Sequence, residues 1–287
     1  MDSILPWAAV VYANYYQFHE REVRNPRVRS RMLLWCKSGS GRVVVNGAGF
    51  DLHPEDFLFL PWAHSILYTP NRADPFLVAG IHLIPYHSPD APMDFAVPHS
   101  DRTGPYFPET IRRDAAIPGF ETLYRGSFLL NRSLEALAEY IVASNTERPP
   151  EEIHARRTAA LLVEELRRVS RSGIHSSDMP LRLVRLLRHA DAIPLNVLSS
   201  TALARGLDVS LSTVNRLFRT HLHMSVGAWI AQRRMDTAAR LLKSTDLPIG
   251  EVGAKSGIVD PYYFSRLFRK HHGMTAGEYR RRYGVSL

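Results

Sequence analysis

Between Asp208 and Tyr283 the chain states one pattern twice. Arg216-Leu217-Phe218-Arg219 returns as Arg266-Leu267-Phe268-Arg269, 50 residues later. The same offset holds for His221/His271, Met224/Met274, Ser225/Thr275, Gly227/Gly277 and Trp229/Tyr279. Upstream, Leu203-Ala204 matches Val252-Gly253, and Val209 matches Ile258, at an offset of 49, so the second copy holds one extra residue in its turn. Self-similarity at a fixed period means two copies of one supersecondary unit. Each copy reads as a short helix, a tight turn and a longer helix, which is the helix-turn-helix pattern.

Local chemistry supports that reading. Ser199 or Ser200 caps a helix through Leu203-Ala204, Asp208 lies in the turn, and Ser210 or Ser212 caps the next helix. In the second copy Gly257 supplies the turn, and Asp260-Pro261 is an N-cap followed by proline at the first helical position, where its missing N–H costs nothing. Val214, Leu217 and Phe218 share one face, as do Phe264, Leu267 and Phe268. The interleaved residues point away from it: Ser212, Asn215, Arg216 and Arg219 in the first copy, Tyr262, Ser265, Arg266 and Arg269 in the second. Arg donates two bonds to guanine and Asn pairs with adenine in the same bidentate way, so these eight are the candidate DNA-binding residues and double-stranded DNA is the expected partner.

The charge distribution agrees. Residues 180–287 contain 17 Lys and Arg against 7 Asp and Glu, while the whole chain is only +8, so the remainder is mildly acidic. A basic third on an acidic remainder is the footprint of a nucleic-acid domain attached to something else. Leu181–Ala190 reads as a helix that precedes the repeat. Ser225–Lys243 is long enough for a connecting helix, with Val226, Trp229, Ile230, Ala238, Leu241 and Leu242 on its buried side. Thr275-x-x-Glu278 is a capping box, and Arg280, Arg281 and Arg282 after it offer phosphate contacts. His221, His223, His271 and His272 lack a neighbouring Cys or carboxylate at ligand spacing, so no metal is expected there.

At these residues the sequence resembles the AraC/XylS family of bacterial transcription regulators, from about Leu181 to Tyr283. Gly257, Tyr263-Phe264, Arg266, Phe268, Gly273 and Glu278-Tyr279-Arg280 carry most of the family's second-motif pattern. Ile258 stands where the family prefers Phe, Gly253 where it prefers Ala, and Ala276 where Pro is common. Asp208 and His223 each replace a usual Gly. The resemblance implies a promoter-binding regulator, usually an activator that works with RNA polymerase and usually a homodimer, controlled by a small-molecule effector.

The 287 residues suffice for two cores. The single cysteine, Cys36, cannot form an internal disulfide, and no signal-like or membrane-spanning run is present, so a cytoplasmic protein without a membrane partner is expected. Short apolar runs at Met32–Cys36, Arg42–Asn46, Phe57–Leu60 and Phe76–Ile84, punctuated by Gly and Pro, predict a β-sandwich or barrel. The preceding Leu5–Phe18 is aromatic and reads as a strand plus an arm.

Gly39-x-Gly41, Gly47 and Pro54-Glu55-Asp56-Phe57-Leu58-Phe59-Leu60-Pro61-x-x-His64 resemble the cupin-like ligand domain of the same family, with Glu55 in place of a usual Gly. The resemblance implies a ligand pocket, with Trp7, Arg31, Trp35, His64, Tyr68 and His82 as candidate ligand-binding residues. Tyr68 matches a sugar-contacting position of arabinose-responsive members, whereas Ser38 stands where their ligand-binding Arg would be, which weakens the sugar analogy; the expected effector is a sugar-like or other small polar molecule. Metal-dependent cupin enzymes need a His-x-His cluster, and Met32–Asn46 contains no His. No catalytic residue, metal or cofactor is therefore expected. The rivals are a metal cupin enzyme with an appended DNA-binding domain and a constitutive DNA-binding protein.

Residues 86–118 are Pro-rich and read as a loop that covers the sensor. Leu130, Leu134, Leu137 and Ile141, then Ala155, Ala159, Leu162, Leu166 and Val169, form two helical stripes separated by Pro149-Pro150. The expected organisation is an α+β multidomain chain. A cupin-like sensor spans residues 1–118, a helical, dimerising pair 119–173, a linker 174–180, and an all-α double helix-turn-helix domain 181–287.

Overall fold

A computed structural model describes residues 5–19, 21–100, 107–147, 149–171 and 181–284; the expected linker at 174–180 lies outside these residues. The chain divides into two units, Met1–Ser177 and Asp178–Leu287.

The first unit is built from strands β1 (Ala9–Gln17), β2 (Val23–Val28), β3 (Arg31–Ser38), β4 (Gly41–Val45), β5 (Ala48–Leu52), β6 (Asp56–Leu60), β7 (His64–Pro70), β8 (Leu77–Ile84), β9 (Tyr86–His87), β10 (Arg112–Arg113) and β11 (Tyr124–Ser127). One sheet has the order β1-β8-β3-β6-β11, the other β2-β7-β4-β5, and β9 pairs with β10. Strand alternation separates two cores. Met32, Leu34 and Cys36 of β3 face the second sheet, with Ile66 and Tyr68 of β7. Leu33 and Trp35 face the other way, into a layer made by α1 (Arg132–Glu147) and α2 (Glu152–Arg171). Both helices pack on β1, burying Leu134, Ala138, Ile141, Ala159, Leu162 and Leu166. Pro149-Pro150 separates the two helices as expected.

The expected runs cover β1, β3, β4, β6 and β8; β2, β5, β7 and β11 lie outside them, and β9 pairs with β10 within the segment 86–118 expected to be a loop. β2 carries Pro26 and buries only Val28 fully; it is an edge strand, where a missing donor is tolerated. Tyr124–Ser127, within the segment expected to be helical, pairs antiparallel with β6 and completes the larger sheet.

The second unit contains α3 (Leu181–Ala192), α4 (Ser200–Gly206), α5 (Leu211–Leu222), α6 (Val226–Ser244), α7 (Ile249–Lys255), α8 (Pro261–His272) and α9 (Ala276–Tyr283). α4–α5 and α7–α8 are the two copies of the repeat. α6 packs against α5 of the first copy, α7 and α8 of the second, and α9. Met235, Ala238 and Leu242 of α6 meet Val252, Phe264 and Phe268 in one apolar cluster. Trp229 and Leu241 on its expected buried side are half-buried. Among the described residues no helix is long and apolar enough to cross a membrane.

Candidate nucleic-acid interface and barrel cavity

Each copy fixes its second helix with an N-cap. Ser199 caps α4 by accepting from the Ala202 N–H, and Ser210 caps α5 by accepting from the Thr213 N–H. Asp260 accepts from the Tyr262 and Tyr263 N–H groups at the start of α8, with Pro261 at the first helical position. Thr275 and Glu278 close a reciprocal capping box on α9. This box holds the Glu278 carboxyl below its ordinary range, first through the Thr275 backbone N–H and then through the Thr275 hydroxyl.

The turns require left-handed backbone at matching places. Asp208 has φ 50° where Gly257 has φ 87°, and His223 has φ 54° where Gly273 has φ 73°. Thus the first copy holds side-chain-bearing residues in the conformation that glycine adopts freely. Glu55, the other residue standing at a usual glycine, also has a positive φ, 76°.

With Val214, Leu217, Phe218, Phe264 and Phe268 buried, the opposite faces are open. Ser212, Arg216 and Arg219 are exposed and Asn215 half-buried, its amide N–H donating to the Leu211 carbonyl at 3.1 Å. In the second copy Tyr262, Ser265, Arg266 and Arg269 are all exposed, Tyr262 at 88%. Arg266 lies 5.7 Å from the Tyr263 ring centroid. The connector α6 has 19 residues, about 28 Å at 1.5 Å per residue. Arg234 on α6 donates to the Leu195 and Leu198 carbonyls, pinning the turn before α4. Of the three late arginines, Arg280 donates to the Leu247 carbonyl, while Arg281 and Arg282 are exposed.

The first unit contains a cavity of about 430 Å³ between the edge strands β1 and β2. Of the six candidate ligand residues, Tyr68 and His82 line it. His64 points inward from β7 but is fully buried behind the lining, its Nδ1 2.8 Å from the Pro61 carbonyl oxygen. Burial pushes its pKa down to about 4. Arg31, Trp35 and Trp7 stand outside. Arg31 and Trp35 share the strand parity of Leu33, so they face the helical layer. Arg31 pairs with Asp114 at 2.7 Å and donates to the Phe120 carbonyl, and Trp35 packs against Phe128. Trp7 precedes β1, is 42% exposed and lies beneath Arg156.

The rest of the lining includes Tyr12, Asn14, Tyr16 and Phe18 from the β1 segment, Met32, Gly80 and His99. The alternation Tyr12, Asn14, Tyr16, Phe18 was visible as one face of a strand; His99, from an irregular segment, carried no local signal. Behind β1, Glu139 of α1 accepts from the Tyr15 hydroxyl and from Trp35 Nε1, and it pairs with Lys37 at 2.9 Å. Burial works to raise the Glu139 pKa, but these three donors outweigh it and hold the carboxyl low. Among the described residues no three His, Cys, Asp or Glu side chains converge to hold a metal ion.

A helix-turn-helix domain profile matches residues 203–282, which span both copies. An HTH-type transcriptional regulator of Escherichia coli K12, YijO, whose function is uncharacterized, is 26% identical over 255 residues, covering 86% of this chain and 80% of that one. The regulatory protein SoxS of Salmonella typhimurium is 36% identical over 89 residues, 31% of this chain and 80% of SoxS. Among solved structures, the C-terminal domain of AraT, a response regulator from Geobacillus stearothermophilus, is 30% identical; it covers 38% of this chain and 92% of that domain with a TM-score of 0.37. With the helix-turn-helix profile over residues 203–282 and SoxS matched at 36% identity over 80% of its length, the chain belongs to the AraC/XylS family of transcription regulators.

Proposed function

We propose that the protein is a dimeric, effector-controlled transcription activator that reads two successive major-groove segments of an asymmetric promoter site. In this reading Ser212, Asn215 and Arg216 contact base edges in one segment and Tyr262, Ser265 and Arg266 in the next; Arg219, Arg269, Arg281 and Arg282 grip phosphates. The observation that carries it is the pair of capped helices with open Arg-bearing faces, both packed against one connector. Successive major grooves on one face of DNA lie about 34 Å apart, a span that a connector of about 28 Å plus two side chains suits.

The barrel cavity is the effector site, and the α1–α2 layer carries the dimer contact. An effector alters transcription only by its differential affinity for two arrangements of the protein. RNA polymerase is the partner through which activation is exerted.

The test is a pull-down of fragmented host genomic DNA with full-length protein at fixed salt, followed by sequencing, since nonspecific affinity falls steeply with salt. A few enriched promoter-proximal sites, lost in Arg216→Ala and in Arg266→Ala, are the expected result. Unchanged affinity of both variants for an enriched site would sink the assignment of reading residues.

A further inference from the structure

The cavity's chemistry narrows what it takes, and the inference rests on reading it as the effector site. We infer that the effector is a neutral aromatic molecule carrying one hydrogen-bonding substituent, phenol-like, rather than a sugar or a carboxylate.

The lining has two unlike ends, fixed by register. At one, Phe18 stacks on Tyr68 with ring centroids 4.8 Å apart and meets Tyr16 edge-on at 4.6 Å; Val23 and Val78 complete an apolar box. At the other, Tyr12 pairs across the sheet with His82, whose ring lies 5.5 Å from that of His99. The Ser30 hydroxyl sits 2.8 Å from His82 Nδ1, which leaves Nε2 as the second polar atom of that ring. Burial lowers the pKa of His82 well below the ordinary value, with the neighbouring His99 and His64 acting in the same direction, and burial lowers His99 as well. The polar end is therefore uncharged at neutral pH.

No Asp, Glu, Lys or Arg is among the described residues that line the cavity. A carboxylate would enter without a cation, and burying an unpaired charge is costly. Arg31, the nearest inward candidate on sequence grounds, is committed to Asp114 on the other side of the sheet. A sugar would bring a hydroxyl on nearly every carbon, whereas the polar lining groups, Asn14, Asn25 and three tyrosine hydroxyls besides the two histidines, are interleaved with Phe18, Val23, Val28, Met32 and Val78, and each hydroxyl left facing those costs free energy. A ring with one polar substituent fits both ends.

Gly80 sets the middle. Its position on β8 lies between those of Val78 and His82, and a Cβ there would come within 2.3 Å of Met32 Cε. A side chain at position 80 would displace the Met32 methyl, so this pair gauges the slot a ring would enter. Gly80 and Met32 are thus specificity-determining positions.

The test uses full-length protein at about pH 7, where a phenol is neutral and a carboxylate charged. Calorimetric titrations with 2-naphthol, 2-naphthoate and L-arabinose are run on the wild type, on Gly80→Val, which fills the slot, and on Asn25→Trp. Asn25 sits on the edge strand β2 at the cavity mouth, so its replacement leaves the core untouched and covers the case in which Gly80→Val fails to fold. The expected result is 2-naphthol binding at least about tenfold tighter than either other probe, and weakened at least about tenfold in each folded variant. Tighter binding of 2-naphthoate, or of L-arabinose, sensitive to Asn25→Trp, would overturn the neutral phenol-like class (the first by showing a charged ligand, the second a sugar) and leave the sensing role intact. Binding of 2-naphthol insensitive to Asn25→Trp, or no binding of any probe, overturns the inference. The sensing role falls separately if Asn25→Trp leaves reporter expression in the host unchanged under every growth condition.

Discussion

The two helix-turn-helix copies share a plan and differ in how firmly their own residues enforce it. The second places glycine at both left-handed positions, Gly257 and Gly273, and opens its long helix with Asp260-Pro261. The first places Asp208 and His223 there and opens with Ser210 alone. The second copy therefore adds strong local preference to its packing of Val252, Phe264 and Phe268 against α6. The first leans on packing, with Val214, Leu217, Phe218 and Leu222 buried and Arg234 holding the preceding turn. One motif can thus be kept by tertiary contacts with or without strong local preference.

Substitutions at matched positions test the contrast. Gly257→Val has the largest expected effect. A Cβ there would lie 2.5 Å from the Leu195 carbonyl oxygen at φ +87°, so a loss of about 3 kcal/mol or more in urea unfolding of the full chain is expected. Asp208→Val, at the matching place, exchanges one side chain for another where a Cβ is already accommodated, and about 1–2 kcal/mol is expected. Equal costs would break the contrast.

Arg216→Ala and Arg266→Ala should each lose about 1–3 kcal/mol of specific DNA affinity and relax the base preference at one position. Competition binding against single-base variants of an enriched site reads this out. Arg281→Ala should instead weaken binding to all sequences alike and flatten the salt dependence by about one unit of slope.

His223→Gly should stabilise the chain by about 1 kcal/mol, by removing the left-handed penalty, less the entropy that glycine adds to the unfolded chain. A destabilised variant would mean that the His223 side chain makes a contact worth more than its backbone strain.

The smallest expected effect is the acid response of Glu278. Glu278 is held below its ordinary pKa, so its capping contribution is complete above that ordinary value and is lost as pH falls through the depressed one. α6 starts with Ser225 and has Ala228 where α9 has Glu278, so its cap has no such dependence. Acid fraying of α9, absent in Glu278→Gln, is the expected hydrogen-exchange result. In the first unit the sign is set by histidine: His64 titrates near 4 when folded and near its ordinary value when unfolded. The unfolded chain binds more protons in that window, so stability should fall with pH from about 6.5 to about 4. His64→Gln should flatten that part of a stability–pH curve.

The helical third was legible because its signals are local. Caps, a Pro at the first turn, and two buried faces with matching outward residues all lie within short windows of sequence. The barrel was legible as a class, but its cavity only in part. Trp35 and Arg31 have side chains suited to a pocket, yet strand parity sends them to the helical layer with Leu33, while Met32 takes the cavity side. Parity was readable for Tyr12, Asn14 and Tyr16 once β1 is taken as a strand. β2, with Pro26 and one fully buried residue, offers no hydrophobic pattern to read, and its place depends on pairing with β7.

β1 has no idle side. Tyr12, Asn14 and Tyr16 line the cavity, while Tyr15 between them is tied to Glu139 of α1. Occupancy on one face and helix attachment on the other are separated by the thickness of a single backbone. The Tyr15–Glu139 bond ties this wall of the cavity directly to the helical layer with no other element between them, and the same carboxylate also holds Trp35 and Lys37 of β3.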